Sequence, residues 1–256
     1  MLTLVWIVVA CVAGGLLSVL LAALLSLGAT AARVPLLVSF AVGALLGAVF
    51  LEILPYAFAR ASSIEAVTAT VLGGILAFFV LEKLVLWRHC HVEDCEAHDP
   101  PGATHDHGRS GTLILIGDTF HNFVDGILIA AAFLADFQLG LVAAIAIITH
   151  EIPQELSNFV ILLHSGFTRR KALGYNLLTG LAMVVGGVIG YTALTPLASL
   201  VPSFVAVAAA SMLYVAVADL IPGLHRRPEL SSTLHQTVLI GLGVASIWVV
   251  GHLVGH

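Results

Sequence analysis

Long apolar stretches separated by short polar connections run through the whole chain. Each approaches the ~20 residues that a helix needs to cross the ~30 Å hydrocarbon core of a bilayer. None shows the alternation of apolar and polar positions that a membrane β-barrel requires. The pattern predicts eight transmembrane helices, at Leu4–Leu27, Pro35–Ala57, Ala66–Leu86, Leu113–Leu134, Gly140–Leu163, Leu173–Leu194, Phe204–Ile221 and Thr237–Leu253.

The composition agrees with a chain that has lipid as its main solvent. Hydrophobic residues make up 59% of the chain and charged residues only 10%, with a mean hydropathy of +1.07. Soluble domains carry about 25% charged residues, so this chain could not cover a water-exposed surface. Helices satisfy their backbone hydrogen bonds internally within lipid. We therefore expect an all-α membrane protein with a single transmembrane domain over residues 1–256.

Basic residues predict the orientation. With the N-terminus placed outside, all of the 10 lysine and arginine residues except Arg60 fall on one side of the membrane. The positive-inside rule makes that side the cytoplasm, so both termini are expected to be extracytoplasmic in a cell (inner) membrane. No feature of the sequence predicts nucleic-acid binding.

The connection at residues 89–111 is predicted to be a cytoplasmic loop rich in histidine, cysteine and acidic residues. Pro100-Pro101, several small residues and the absence of apolar periodicity predict loose order. The predicted orientation places Cys90 and Cys95 in the reducing cytoplasm, which favours metal binding over a disulfide. Our hypothesis is a cytosolic metal acceptor or sensor, and the alternative is a purely solvating loop. Its candidate ligands are His89, Cys90, His91, Glu93, Asp94, Cys95, Glu96, His98, Asp99, His105, Asp106 and His107.

The fourth predicted span places ionisable residues at membrane depth. His121 and Asp125 are four residues apart, so they share one face of the helix, and Asn122 lies beside them. An aspartate at the centre of a membrane helix costs roughly 2.5–3.5 kcal/mol on insertion scales, which indicates a function. Asp118 can share this face, either as a metal ligand or as a partner that orients one.

The fifth predicted span repeats the arrangement with the segment HEIPQE (150–155). His150 and Gln154 are four residues apart, as are Glu151 and Glu155 on the adjoining stripe. Pro153 frees the backbone carbonyl of Thr149 and predicts a kink. Imidazole, carboxylate and amide groups together are ligands for first-row divalent ions, with zinc first and iron, manganese and cadmium open.

Four segments together resemble the ZIP (Zrt/Irt-like) family of metal transporters. They are HNFVDG (121–126), HEIPQE (150–155), GAVFLEILP (47–55) and LYVAVADLIP (213–222). The resemblance implies a bundle in which spans 1–3 and 6–8 form an inverted repeat around spans 4–5, with an elevator-type movement. It implies Zn²⁺ as the substrate carried into the cytoplasm, with Cd²⁺, Fe²⁺ and Mn²⁺ as alternatives. A homodimer is compatible with the resemblance, and no residue pattern supports one.

The resemblance also implies two neighbouring metal positions. The ligands of the first would be His121, Asp125, His150 and Gln154. The ligands of the second would be Asn122, Glu151 and Gln154. Gln154 stands where the family often has His or Glu. Its amide cannot bridge two ions, so the sequence leaves open whether one or two metals bind.

Other positions also depart from the family pattern or have an open role. Glu52 stands where histidine is common, and is either an auxiliary ligand or an entrance acid. Ser157-Asn158 replaces a common Gly-Asp. Asn176 and Thr179 are candidates to complete the second position.

Two other functions are alternatives to transport. An intramembrane metalloprotease would use His150-Glu151 as the start of a His-Glu-x-x-His motif, but Gln154 stands at the second histidine and Pro153 disrupts the helix. A metal-gated receptor or sensor would bind the ion without moving it. Divalent ions and the lipid bilayer are the expected partners. The sequence does not predict a coupling ion, nor whether the protein acts as a carrier or as a channel.

Overall fold

The computed structural model describes residues 2–28, 34–61, 63–89, 109–225 and 230–254, and all regular structure in these ranges is helical. Most of the predicted metal-binding loop, including Cys90 and Cys95, lies outside the described residues. The α-helices are α1 (Leu2–Cys11), α2 (Ser18–Gly28), α3 (Val34–Gly47), α4 (Leu54–Arg60), α5 (Ile64–His89), α6 (Arg109–Ala135), α7 (Phe137–His164), α8 (Arg169–Leu194), α9 (Val201–Tyr214), α10 (Ile221–Leu224) and α11 (Leu230–Val254). Three six-residue π-helical segments and one 3-10 segment join consecutive helices, at Val12–Leu17, Ala48–Ile53, Val215–Leu220 and Thr195–Leu200.

Seven helical stretches within the described ranges are long and apolar enough to cross a membrane. They are Leu2–Ser26, Pro35–Arg60, Ile64–Leu81, Ile114–Ala135, Phe137–Leu163, Arg169–Leu224 and Ser232–Leu253. The chain is therefore an integral, multi-pass membrane protein. The sixth stretch has 56 residues and bends at Leu197, whose φ of −112° and ψ of 39° are not helical. The predicted sixth and seventh spans fall on either side of this bend, and the total of eight spans stays a prediction.

The helices pack as two groups. In the first helix group, α6 packs most extensively against α8, and α1, α2 and α7 complete the group. In the second helix group, α3 packs against α11, α5 packs against α9, and α4 contacts α9. The groups meet mainly where α3 contacts α7 and where α6 contacts α9.

Glycine allows backbone contact within each group. A Cβ atom at Gly126 of α6 would collide with the carbonyl oxygen of Met183 in α8, and one at Gly43 of α3 would collide with the carbonyl oxygen of Ile240 in α11. Close approach of this kind is typical of membrane helices, where small residues provide the packing surface. The α6–α8 contact therefore fixes the position of the polar residues that precede Gly126 on α6.

A one-residue connection makes α6 and α7 antiparallel neighbours. Asp136 caps α7, because its Oδ1 accepts hydrogen bonds from the backbone N–H groups of Gln138 at 2.8 Å and Leu139 at 3.2 Å. Such a cap satisfies donors that have no partner within the helix. The tight turn brings the polar face of α6 against the polar face of α7. Buried charged and amide side chains concentrate in this first helix group, at Asp118, Asn122, Asp125, His150, Glu151, Glu155 and Asn176.

Candidate metal centre

Four side chains from α6 and α7 converge on one point. His121 and Asp125 lie one turn apart on α6, and His150 and Glu151 are adjacent on α7. Each offers one ligand atom, and the four atoms all lie within 4.8 Å of one another. The Nε2 atoms of the two histidines are 3.3 Å apart. We call this group the four-ligand centre.

The distances from the two histidine nitrogens to the carboxylate oxygens match tetrahedral coordination. Nε2 of His121 is 3.6 Å from Oδ2 of Asp125 and 3.2 Å from Oε1 of Glu151. Nε2 of His150 is 3.3 Å and 3.5 Å from the same two oxygens. Zinc binds nitrogen and oxygen at about 2.0–2.1 Å, so a tetrahedron around it has ligand atoms about 3.3–3.4 Å apart. The centre therefore has the size and the donor types of a tetrahedral zinc site.

A backbone contact determines which nitrogen of His150 is available. Its Nδ1 lies 3.3 Å from the carbonyl oxygen of Ala146, one turn earlier on α7. A carbonyl oxygen only accepts hydrogen bonds, so Nδ1 carries the ring proton and donates a hydrogen bond to this oxygen. Nε2 then keeps its lone pair, which it directs toward the other three ligand atoms. Outer contacts of this kind orient metal-binding histidines.

The charge of the four-ligand centre suits a divalent cation. Oδ2 of Asp125 and both carboxylate oxygens of Glu151 are buried and accept no hydrogen bond. Two carboxylates with two neutral histidines carry the charge that one divalent cation neutralises. Burying such carboxylates without a partner is costly. His121 keeps 20% of its side chain exposed, against 3% or less for the other three ligands, so access to the centre is at His121.

The other two predicted ligands are directed toward Asp118. Asn122 is fully buried, and its Nδ2 donates to the backbone oxygen of Asp118 at 3.1 Å and to Oδ1 of Asp118 at 3.3 Å. Gln154 is half-buried, and its side chain also interacts with Asp118. The structure thus brings together His121, Asp125, His150 and Glu151, and places Asn122 and Gln154 beside them. Metal binding by all six residues stays a prediction.

Sequence reasoning missed the contact of Asn158 with Asp118. Nδ2 of Asn158 donates to Oδ1 of Asp118 at 2.9 Å. The signal was present in the spacing, because His150, Gln154 and Asn158 follow one another at intervals of four residues on α7. Such residues share a helix face.

The remaining candidate residues divide between the two helix groups. Asn176 is fully buried in α8, and its Nδ2 donates to the backbone oxygen of Glu155 at 3.4 Å. Thr179 donates to the backbone oxygen of Asn176 at 2.9 Å. Glu52 belongs to the second helix group, where its carboxylate packs against Gly251 of α11. The kink expected at Pro153 stays a prediction, since α7 is one helix from Phe137 to His164 with this proline inside it.

Comparison with known proteins decides the family. The ZIP Zinc transporter family profile matches residues 88–251, which is more than half of the chain. The chain belongs to the ZIP zinc transporter family. The resemblance expected from the four segments is thereby confirmed.

Similar proteins in this family extend the match over most of the chain. Zinc transporter ZIP13 of Mus musculus is 30% identical over 86% of this chain and 71% of its own length. Zinc transporter ZIP13 of Homo sapiens is 29% identical over 83% of this chain and 69% of its own length. Zinc transporter ZIP10 of Homo sapiens is 37% identical over 53% of this chain and 17% of its own length. ZIP family members are transporters rather than enzymes, so the metalloprotease interpretation is set aside.

Proposed function

We propose that this ZIP protein carries Zn²⁺ into the cytoplasm through the four-ligand centre. Membership of the ZIP family supports divalent metal transport, with zinc as the substrate. The observation that carries the residue assignment is the set of distances of 3.2–3.6 Å among the four ligand atoms. These distances and the two imidazole nitrogens suit zinc. Cd²⁺, Fe²⁺ and Mn²⁺ are further candidate substrates, with Mn²⁺ the weakest because imidazole suits it least.

The donor set also suits release of the ion. A transported ion must bind strongly enough to enter and weakly enough to leave. Two neutral histidines and two carboxylates bind zinc less tightly than a cage of thiolates, and the only cysteine among the described residues, Cys11, is not one of the four ligands. Asn122 and Gln154 adjoin the centre and would supply the next ligands along the path.

The proposed direction follows from the basic residues. The connection between α7 and α8 is followed directly by Arg169, Arg170 and Lys171, which the positive-inside rule places in the cytoplasm. The C-terminal end of α7 and the N-terminal end of α6 are then cytoplasmic. From the four-ligand centre, the cytoplasmic direction therefore runs toward Asp118 on α6 and Glu155 on α7.

The packing supports an elevator-type movement of the first helix group against the second. Among the described glycines, those in backbone contact with another helix join helices of the same group, such as Gly15 with Gly180 and Gly43 with Ile240. Each group is thus tightly held together, while none of the described glycines makes such a contact across the boundary between the groups. Each helix group could then move as a unit.

A repeated local feature supports the inverted repeat. The π-helical segments Ala48–Ile53 and Val215–Leu220 each contain an acid at the fifth position, Glu52 and Asp219. A proline follows each segment after one further residue, at Pro55 and at Pro222. Such π-helical segments inside helices are rare and concentrate at functional sites.

Zinc flux into proteoliposomes tests this function. We expect saturable uptake by the wild type and its loss in His121→Ala and in His150→Ala, with both variants still folded. The exposed His225 at the end of α10 provides the control, since His225→Ala should retain uptake. A wild type that binds zinc tightly at the centre without any flux would instead identify a metal sensor.

A further inference from the structure

Two hydrogen bonds connect the turn between α6 and α7 to the second helix group. The hydroxyl of Tyr56 in α4 donates to the backbone oxygen of Ala135 at the end of α6, at 3.0 Å. The side-chain amide of Gln138 at the start of α7 donates to the backbone oxygen of Gly251 in α11, at 2.6 Å. Both bonds cross the boundary between the helix groups, and each group donates one of them.

The residues that make these bonds are held in place within their own helix groups. The guanidinium of Arg60 lies over the ring of Tyr56, 5.2 Å from its centroid. Gly251 packs against the carboxylate of Glu52, which leaves no room for a Cβ atom at this position. Asp136 caps α7 directly at the turn. The two hydrogen bonds therefore connect well-anchored parts of the two groups.

Toward the opposite ends of these helices, side-chain hydrogen bonds join helices of the same group. Nδ2 of Asn158 on α7 donates to Asp118 on α6, and both helices belong to the first group. Nε2 of Gln236 on α11 donates at 3.4 Å to the backbone oxygen of Leu224 on α10, which contacts α3 in the second group. The two bonds at the α6–α7 turn lie at the other side of the membrane, which the proposed direction makes the extracytoplasmic side.

Access to the four-ligand centre shows the same asymmetry. His121, the partly exposed ligand, lies one turn before the buried Asp125 on α6, which is its cytoplasmic side. On the other side of the centre, Leu128 and Ile129 of α6 and Ala143 of α7 are each 2% exposed or less. The centre is therefore closed toward the α6–α7 turn, the end at which the two hydrogen bonds hold the groups together.

We propose that Tyr56 and Gln138 form an extracytoplasmic latch, which holds the two helix groups together and keeps the four-ligand centre closed to the outside. The latch rests on the elevator-type movement of the proposed function, since the first helix group must leave this position before zinc can enter from outside. When the groups separate, water replaces the lost partners of both donors and both acceptors. Two such bonds between uncharged groups are strong enough to favour the closed arrangement and weak enough to break in each transport cycle.

Labelling of a cysteine placed at position 143 tests the latch. Ala143 is fully buried in the apolar core that both helix groups share, and it precedes His150 by seven residues on the same face of α7. A membrane-impermeant maleimide added to intact cells reaches Ala143→Cys only when the groups separate at the extracytoplasmic side. The parent protein for this experiment carries Ala143→Cys with Cys90→Ser and Cys95→Ser, while Cys11 is buried.

We expect Tyr56→Phe and Gln138→Leu each to increase the labelling rate about 5-fold, the factor that corresponds to one such hydrogen bond. The double variant should be labelled faster than either single variant. Gln236→Leu is the matched control for glutamine, because it removes a bond within the second group. Tyr175→Phe is the matched control for tyrosine, because Tyr175 packs on Phe167 within the first group and its ring is retained. Both controls should be labelled at the rate of the parent protein.

Zinc affinity at the four-ligand centre provides the check on folding and should stay within about 3-fold of the parent protein in every variant. Labelling of the folded double variant at the parent rate would overturn the latch. An equal increase in Gln236→Leu would overturn it too, because the fold would then be loosened as a whole. If the double variant does not fold, Tyr56→Phe alone decides, since it removes only a hydroxyl group. Absence of zinc flux in the wild type would count against the proposed function, whereas the labelling rates would still decide the latch.

Discussion

The four-ligand centre and the surroundings of Asp118 lie about one turn apart on α6 and differ in what holds their carboxylates. In the centre, Asp125 and Glu151 face two imidazole nitrogens at 3.2–3.6 Å. Asp118 instead accepts hydrogen bonds from the side-chain amides of Asn122 and Asn158. One turn of helix thus changes the partners of a buried carboxylate from imidazoles to amides.

This difference separates two roles that a buried carboxylate can have on the same helix. At the four-ligand centre, the neighbouring nitrogen donors favour zinc over the more abundant hard cations. At Asp118, the neighbouring amides donate hydrogen bonds and orient the carboxylate. The difference requires no change in the backbone fold, only a different residue type at the next turn.

The largest expected effect comes from removing a carboxylate from the four-ligand centre. Asp125→Asn retains the shape of the side chain but removes one of the two charges that balance the ion. We expect zinc affinity to fall at least about 100-fold, because loss of a partner outside the ligand set already costs about 10–100-fold. Isothermal titration calorimetry measures this change. Glu65→Gln removes an exposed acid from α5 and should leave zinc affinity unchanged. An unchanged affinity in Asp125→Asn would exclude Asp125 as a ligand.

A glycine pair on α6 tests whether backbone contact holds the four-ligand centre in place. Gly126→Ala forces a methyl group against the backbone of α8 at Met183 and should destabilise the protein by about 1–3 kcal/mol. Gly117→Ala is the matched control, because a Cβ there has no atom within 4 Å. Removing glycine from a helix interior should stabilise the protein by about 0.5–1 kcal/mol. Thermal unfolding in detergent compares them, and equal melting temperatures would contradict the packing.

Protons should compete with zinc at the four-ligand centre. His121 and His150 must be neutral to bind the ion, so protonation opposes binding. Because protons and zinc compete for the same ligand atoms, zinc affinity should decrease as the pH is lowered from about 7.5 to 5.5. Calorimetry in buffers of different ionisation enthalpy also counts the protons released. An affinity that is flat over this range would argue against histidine ligands.

Much of the fold and part of the site could be predicted from the sequence because they depend on local patterns. The predicted second span, Pro35–Ala57, differs from the observed stretch Pro35–Arg60 only at its end. The pairing of His121 with Asp125 followed from helical spacing alone. Helical spacing shows which residues share a face but not where each side chain is directed. It therefore could not predict that the amide of Asn122 donates to Asp118. The π-helical segments were missed for a similar reason, since no residue type specifies an inserted residue in a helix.

The smallest expected effect concerns Asn158, which holds Asp118 without belonging to the four-ligand centre. Asn158→Ala removes the hydrogen bond of 2.9 Å to Asp118, worth about 1 kcal/mol, and should lower the melting temperature in detergent by about 2–4 °C. Asn158→Asp places a second carboxylate next to Asp118 and should destabilise the protein more than Asn158→Ala. Zinc affinity should stay within about 3-fold of wild type in Asn158→Ala, because Asn158 is directed to Asp118 and not to the four ligands. A melting temperature equal to that of the wild type would show that this hydrogen bond contributes nothing to stability.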